Sequence, residues 1–118
     1  MAQLRLSAMA QADIINLLFW TEQRYGKTAR TRYEYLLSAA LRDLAADPLR
    51  IGTLARPELG PDIRSYHLRN SRKSAGVARP RHLFLYRMRE ESLVEVGRVL
   101  HDAMELERHA ALAFRPEP

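Results

Sequence analysis

Residues 7–48 read SAMAQADIINLLFWTEQRYGKTARTRYEYLLSAALRDLAADP, and their spacing decides the fold. Ser7 offers a side-chain oxygen that can cap a helix start. Behind it Ala10, Ile14, Leu17, Leu18 and Thr21 or Tyr25 recur at three- and four-residue intervals, one face of a helical period. Gly26 suits the left-handed conformation that ends a helix. Thr28 is the expected cap of a second helix, in which Ala29, Tyr33, Leu36, Leu37, Ala40 and Leu44 make another apolar stripe. Asp47-Pro48 stops it, because the residue before proline is pushed out of the α region. Two helices joined by so short a turn form an antiparallel hairpin.

On the N-terminal side, Gln3 to Leu6 alternates polar and apolar residues, which predicts a short strand. On the other side, Leu49 to Asp62 holds Pro57, Gly60 and Pro61 and reads as a loop with one short helical turn. Three strands follow. Ile63 to Leu68 is the first. Arg81 to Met88 sets Leu83, Leu85 and Arg87 against His82, Phe84, Tyr86 and Met88. Leu93 to Leu100 sets Val94, Val96, Arg98 and Leu100 against Leu93, Glu95, Gly97 and Val99. Arg89-Glu90-Glu91-Ser92 is the turn between the last two. Neither the hairpin nor the sheet can bury its apolar side alone. Packing one on the other predicts an α+β fold of order β-α-α-β-β-β, with the helix hairpin on a small antiparallel sheet. The stretch after Leu100 is expected to form a helical turn or a strap across the sheet. Residues 1–110 then make a single domain and 111–118 a loose C-terminal tail.

A chain of 118 residues buries roughly 65% of its unfolded surface, enough for one core without cross-links. It has no cysteine, which excludes disulfides and thiol catalysis and suits a reducing compartment. The opening MAQLRLSAMA carries a charge inside its first apolar stretch, unlike an export signal, and the apolar run Ile14 to Trp20 is too short to cross a bilayer. The expectation is a soluble, cytoplasmic protein with no membrane partner. Its net charge of +5 is local. Arg69, Arg72, Lys73, Arg79 and Arg81 lie in a segment without acids, and the rest of the chain holds 14 basic and 14 acidic residues. Ser71, Ser74, Gly76 and Pro80 give that segment a loop composition. It is either a solvated loop or a patch facing an anion or an acidic protein.

Arg98 shares its parity with Val94, Val96 and Leu100, so strand alternation puts it on their apolar face. A charge there needs a partner. Two readings stand: an ion pair with a carboxylate such as Asp13 or Glu105, or an arginine that faces a ligand. His67, His82, His101 and His109 are widely spread and lack metal-ligand spacing, so neither a metal nor a cofactor is expected. His101, beside Asp102, suits acid–base work or a simple strand-end hydrogen bond. No glycine-rich phosphate cradle, nucleophile elbow or carboxylate pair is present. Trp20, Tyr25, Tyr33 and Tyr35 lie in the helices, where core packing or a partner groove accounts for them.

Several stretches carry a resemblance: LRLSAMAQADI (4–14), WTEQRYGKTARTRYEYLL (20–37), LAADPLRIG (44–52), IRSYHL (63–68), HLFLYRM (82–88) and VEVGRVLHDAMELERH (94–109). Together with the element order they resemble the RelE/ParE toxin superfamily, and its ParE branch in particular, the last stretch being the most specific. The long basic segment from Arg69 to Pro80 departs from the short connection usual in that family. The resemblance implies a cytoplasmic toxin that inhibits DNA gyrase by protein–protein contact, not an enzyme. It also implies a heteromeric complex with a ParD-like antitoxin, and operator DNA bound only through that antitoxin. On this reading Arg98, His101, Met104, Glu105, Arg108 and His109 meet the target, with the basic segment as a secondary contact. The antitoxin is expected on the exposed edges of the helix hairpin and on the sheet face around Tyr66, Phe84 and Tyr86. The ribonuclease branch of the superfamily offers an alternative in which Arg64, Arg87, Arg98 and His101 assemble into a cutting site. A third is a non-toxic antitoxin-binding module of the same fold.

Overall fold

The structure, a computed structural model, describes residues 2–90, 92–104 and 106–114, and of Ser74, Glu107, Ala111 and Leu112 only the backbone. The elements are β1 (Gln3–Leu6), α1 (Ala8–Tyr25), α2 (Lys27–Ala46), β2 (Thr53–Ala55), β3 (Ile63–His67), β4 (His82–Arg89), β5 (Leu93–His101) and α3 (Leu106–Ala113). Single 3-10 helices lie at Pro57–Leu59 and Leu68–Ser74.

The hairpin forms as its spacing predicts. Ser7 Oγ accepts the Ala10 N–H at 3.0 Å and donates to the Gly97 carbonyl at 2.7 Å, so one side chain caps α1 and ties it to β5. Gly26, at φ +92°, serves both helices. Its N–H donates to the Glu22 carbonyl, and its own carbonyl accepts the Arg30 N–H. Thr28 is therefore not the cap that its sequence position suggested. The turn is a single residue, and Thr28 already lies inside α2. Asp47 takes an extended conformation and closes α2, as the following proline requires.

The five strands run in the order β1-β5-β4-β3-β2. The meander β3-β4-β5 is antiparallel, and β1 joins β5 in parallel. The segment read as a loop contributes β2, a three-residue edge strand on β3, as well as the expected short helical turn. Three residues are too few for period-two patterning to show. The hairpin lies on one face of the sheet, where Ala10, Leu17, Leu36 and Leu44 pack with Val94, Val96 and Val99. Each fully buried aliphatic side chain contributes about 1.5–3 kcal/mol, so this layer dominates stability.

Both sheet faces are covered. Leu83, Leu85 and Leu100 pack on the far side with Ala110, Leu106 and Leu59, so the expected strap is a helix. It continues through Ala113, beyond the tail boundary read at residue 110, and Ala113 is buried. Gly97 permits this crossing. A Cβ there would stand 2.6 Å from the Ala113 carbonyl oxygen.

The alternation read for β5 is broken at the same place. Tyr86 pairs with Val96 and Leu85 with Arg98, leaving Gly97 as an extra residue. Such a bulge shifts the parity of everything after it. Val94 and Val96 share the hairpin face with Val99, whereas Leu100 turns to the α3 side. A second correction concerns Tyr66, Phe84 and Tyr86, expected on a surface open to the antitoxin. All three are wholly buried. They belong to the cluster beneath the hairpin, where the Tyr66 hydroxyl meets Ser71 Oγ at 2.6 Å and that of Tyr86 donates to the Pro48 carbonyl. The β4 alternation was right, and the face it filled is the one the helices cover.

Candidate protein-contact site

Arg98 takes the first of its two readings. Its Nε and Nη2 donate to the Asp13 carboxylate at 2.7 and 3.0 Å, and the Val99 N–H donates to the same carboxylate at 2.9 Å. Both side chains are largely shielded from solvent. The pair fastens α1 to the bulge. Glu105, the other partner considered and an expected contact residue, lies outside the described residues.

The remaining tail positions separate. His101 and Met104 face a trough along α1, beside Asn16 and Trp20. Arg108 and His109 are carried by α3, which packs on the opposite side of the sheet. The basic segment separates too. Arg69, Arg72 and Lys73 are exposed on a 3-10 helix, where a loose loop had been one of the two readings. Leu68, Ser71 and Ala75 anchor it to the core, and Ser71 Oγ donates to Asp43 at 2.6 Å. Arg79 and Arg81 instead border a cleft of about 390 Å³ between that segment and the start of α2.

At the cleft floor the fold gathers residues that sequence reading left scattered. β3 ends at His67, β4 begins at His82 and β5 ends at His101, so antiparallel pairing brings three histidines to one end of the sheet. Counting outward from the Arg89–Leu93 pair would set His82 opposite residue 100, and the bulge moves the match to His101. The rings of His82 and His101 stand edge to face, 5.4 Å apart. His67 Nε2 lies 2.9 Å from Asp102, which also accepts hydrogen bonds from Arg81 Nε at 3.0 and 3.2 Å and from Arg81 Nη2 at 2.9 Å. Arg81, backed by His67, holds the Asp102 carboxyl down at about 2. His101 Nδ1 accepts the Ala103 N–H at 3.1 Å, the strand-end role read for it.

Burial holds the His82 imidazole down at about 4 against the usual 6.5, with His101 adding to the effect and Asp102 opposing it. It is neutral at pH 7. Burial also pushes the Tyr33 hydroxyl up to about 12, so it stays protonated, and it shares a hydrogen bond of 2.7 Å with His82 Nδ1. An unfolded chain takes up a proton near pH 6.5 that folded His82 refuses until about 4. Stability from this site is therefore complete above 6.5 and falls as the pH drops through that window. Between pH 7 and 4 the loss in urea-unfolding free energy should be about 3 kcal/mol smaller in His82→Gln than in the parent chain.

The three arginines considered for a cutting site do not converge on His101. Arg64 donates to Thr53 Oγ1 at 2.8 Å, Arg87 to Glu95 at 2.8 Å, and Arg98 to Asp13. Among the described residues no group of three or more histidine, aspartate or glutamate side chains is placed to hold a metal ion, and no helix is long and apolar enough to cross a membrane. What the arrangement does present is surface. Ile15 and Phe19 on α1 are more than half exposed, and Trp20 and Tyr25 stand beside the cleft. Sequence reading had placed these aromatic residues in core or groove without choosing between them. Ile15 and Phe19 lie one turn apart and Trp20 meets Tyr25 edge to face, exposed apolar groups of the kind that contact surfaces use.

No curated protein matches the sequence. The family model described as ParE toxin of type II toxin-antitoxin system, parDE, matches residues 4–106, from β1 to the start of α3. With nearly the whole chain matched and the element order as expected, the chain belongs to the ParE toxin family of type II toxin–antitoxin systems.

Proposed function

We propose that this toxin acts in the cytoplasm by stopping DNA gyrase through protein–protein contact, and that a ParD-like antitoxin neutralises it in a heteromeric complex. The observation that carries the reading is the family match across residues 4–106. A second one supports it: Arg64, Arg87 and Arg98 are each engaged by a structural partner instead of meeting at His101. A protein that works by contact needs a shaped surface and no assembled acid–base set. His101 and Met104 at the trough, with Arg108 and His109 on α3, are the proposed target contacts. Arg98 acts by holding the bulge beneath them, and Arg69, Arg72 and Lys73 form a secondary contact. The antitoxin takes the exposed edge of the hairpin, and reaches operator DNA with its own DNA-binding part.

Purified toxin is expected to inhibit gyrase supercoiling and to accumulate gyrase-dependent DNA breaks. Normal supercoiling at large toxin excess would overturn the reading. The cluster of His82 and His101 beside Arg81 favours one other reading, ribosome-dependent mRNA cleavage. That reading requires transcripts to be cut on induction and spared in His101→Ala; intact transcripts dismiss it. Unimpaired growth on expression without an antitoxin would leave only a binding module.

A further inference from the structure

Residues 69–81 hold five cations and no acid, which is the whole positive excess of the chain. The fold keeps their backbone in place. The Arg69 N–H donates to His67 Nδ1 and the Asn70 side-chain amide to the His67 carbonyl, while Leu68, Ser71, Ala75 and Pro80 are buried. A 3-10 turn takes three residues, so Arg69 and Arg72 project from one side about 6 Å apart, with Lys73 next to them. Arg72 Nη1 reaches the Ala78 carbonyl at 3.4 Å, which sets its guanidinium beside the stretch that carries Arg79. Among the described residues no carboxylate meets Arg69, Arg72, Lys73 or Arg79. Asp43, the acid that Ser71 touches, is already held by Arg50 at 2.7 Å, and Arg81 is committed to Asp102. A row of cations without counter-charge thus stands on an ordered ledge.

We infer that this row lies along the phosphate backbone of duplex DNA. The inference rests on the reading of Arg69, Arg72 and Lys73 as a secondary contact at the target, and it assigns that contact to the DNA that the target holds. The make-up of the ledge selects the partner. Beside the cations, its described exposed residues are Asn70, Gly76 and Ala78, none of them aromatic or long and apolar. A protein interface draws its binding energy from buried aromatic and apolar anchors, which a protein partner would not find here. Single strands are held by stacking their bases on aromatic rings, also missing from the ledge. A duplex backbone needs neither. It offers one negative charge per ~1.7 Å of axis, and each lysine or arginine that meets a phosphate releases condensed counterions. Phosphate contacts carry no base preference, so the choice of operator stays with the antitoxin.

The test measures anisotropy of a short labelled DNA duplex of mixed sequence, titrated with the purified chain without gyrase between about 50 and 200 mM salt. Two triple variants are compared. Arg69→Ser/Arg72→Ser/Lys73→Ser strips the ledge, and Arg5→Ser/Lys27→Ser/Arg89→Ser removes the same charge from exposed positions outside it. The ledge variant should bind at least about tenfold more weakly at the lowest salt, with a salt slope shallower by about 2–3, whereas the charge-matched variant stays within about twofold of the parent. Arg69→Lys/Arg72→Lys keeps the charges and should keep the binding, and an unmoved urea midpoint shows that the ledge variant is folded. Equal losses in the two triple variants would reduce the effect to net charge and overturn the inference. So would an undiminished ledge variant, tighter binding of the single strand, or equal competition by polyglutamate. Gyrase inhibition is scored separately. Duplex binding with unaffected gyrase removes the target reading and leaves the ledge, and gyrase inhibition without duplex binding does the reverse.

Discussion

Phe84→Ala is expected to lower the unfolding free energy by about 3–5 kcal/mol, the largest effect of any single change considered. Phe84 is wholly buried on β4, between β3 and β5, beneath the helix hairpin. Truncation removes the ring's transfer free energy and leaves a cavity that the flanking Tyr66, Tyr86 and Val99 are too firmly placed to fill. Natural domains of this size hold only about 5–15 kcal/mol in total, so the variant should approach the folding threshold. Urea unfolding measures the loss, and a pull-down with the antitoxin interprets it. A core residue weakens partner binding only in step with the unfolded fraction. A contact residue would weaken it with the unfolding midpoint unmoved, and that outcome would return Phe84 to the surface role expected from its sequence position.

Asp13→Ala should cost nearly as much, about 3–4 kcal/mol, by leaving the Arg98 guanidinium and the Val99 N–H without their acceptor in a poorly hydrated place. Arg98→Ala leaves the opposite charge stranded, although Val99 still satisfies one lone pair of Asp13. The asymmetry predicts the smaller loss for the arginine. Replacing both, as Asp13→Leu with Arg98→Met, removes charge and counter-charge together and should recover most of the stability, since well-packed apolar substitutes often match a buried pair. Chemical denaturation of the parent chain, Asp13→Leu, Arg98→Met and the double variant gives the coupling energy. A double variant no more stable than the sum of the singles would show that the pair is not a coupled unit. The same double variant answers the functional question, because it lacks the guanidinium without losing the fold. If it still poisons gyrase, Arg98 serves only to hold α1 to the bulge.

The corrections share a cause. Thr28 was read as a cap because threonine favours that role, but a one-residue turn gave Gly26 both helix ends. Leu100 was assigned to the face of Val94 and Val96 because alternation was counted without a bulge. Tyr66, Phe84 and Tyr86 were assigned correctly to a common face, but which face the helices would cover is a question of handedness and connection, not of pattern. The histidine cluster was invisible because its members lie on three strands, and only their register brings them together.

Local chemistry in the chain determined the helix hairpin, the capping by Ser7, the stop at Asp47-Pro48, the antiparallel meander and the family likeness carried by residues 4–106. Those depend on the intervals between neighbouring residues, which a linear string records completely. The Asp13–Arg98 clamp, the meeting of His67, His82 and His101, the crossing of α3 over Gly97 and the cleft beside Trp20 and Arg79 were decided in three dimensions. Each joins residues far apart in the chain. Their proximity is set by one extra residue in β5 and by the parallel entry of β1, small offsets that side-chain periodicity does not encode.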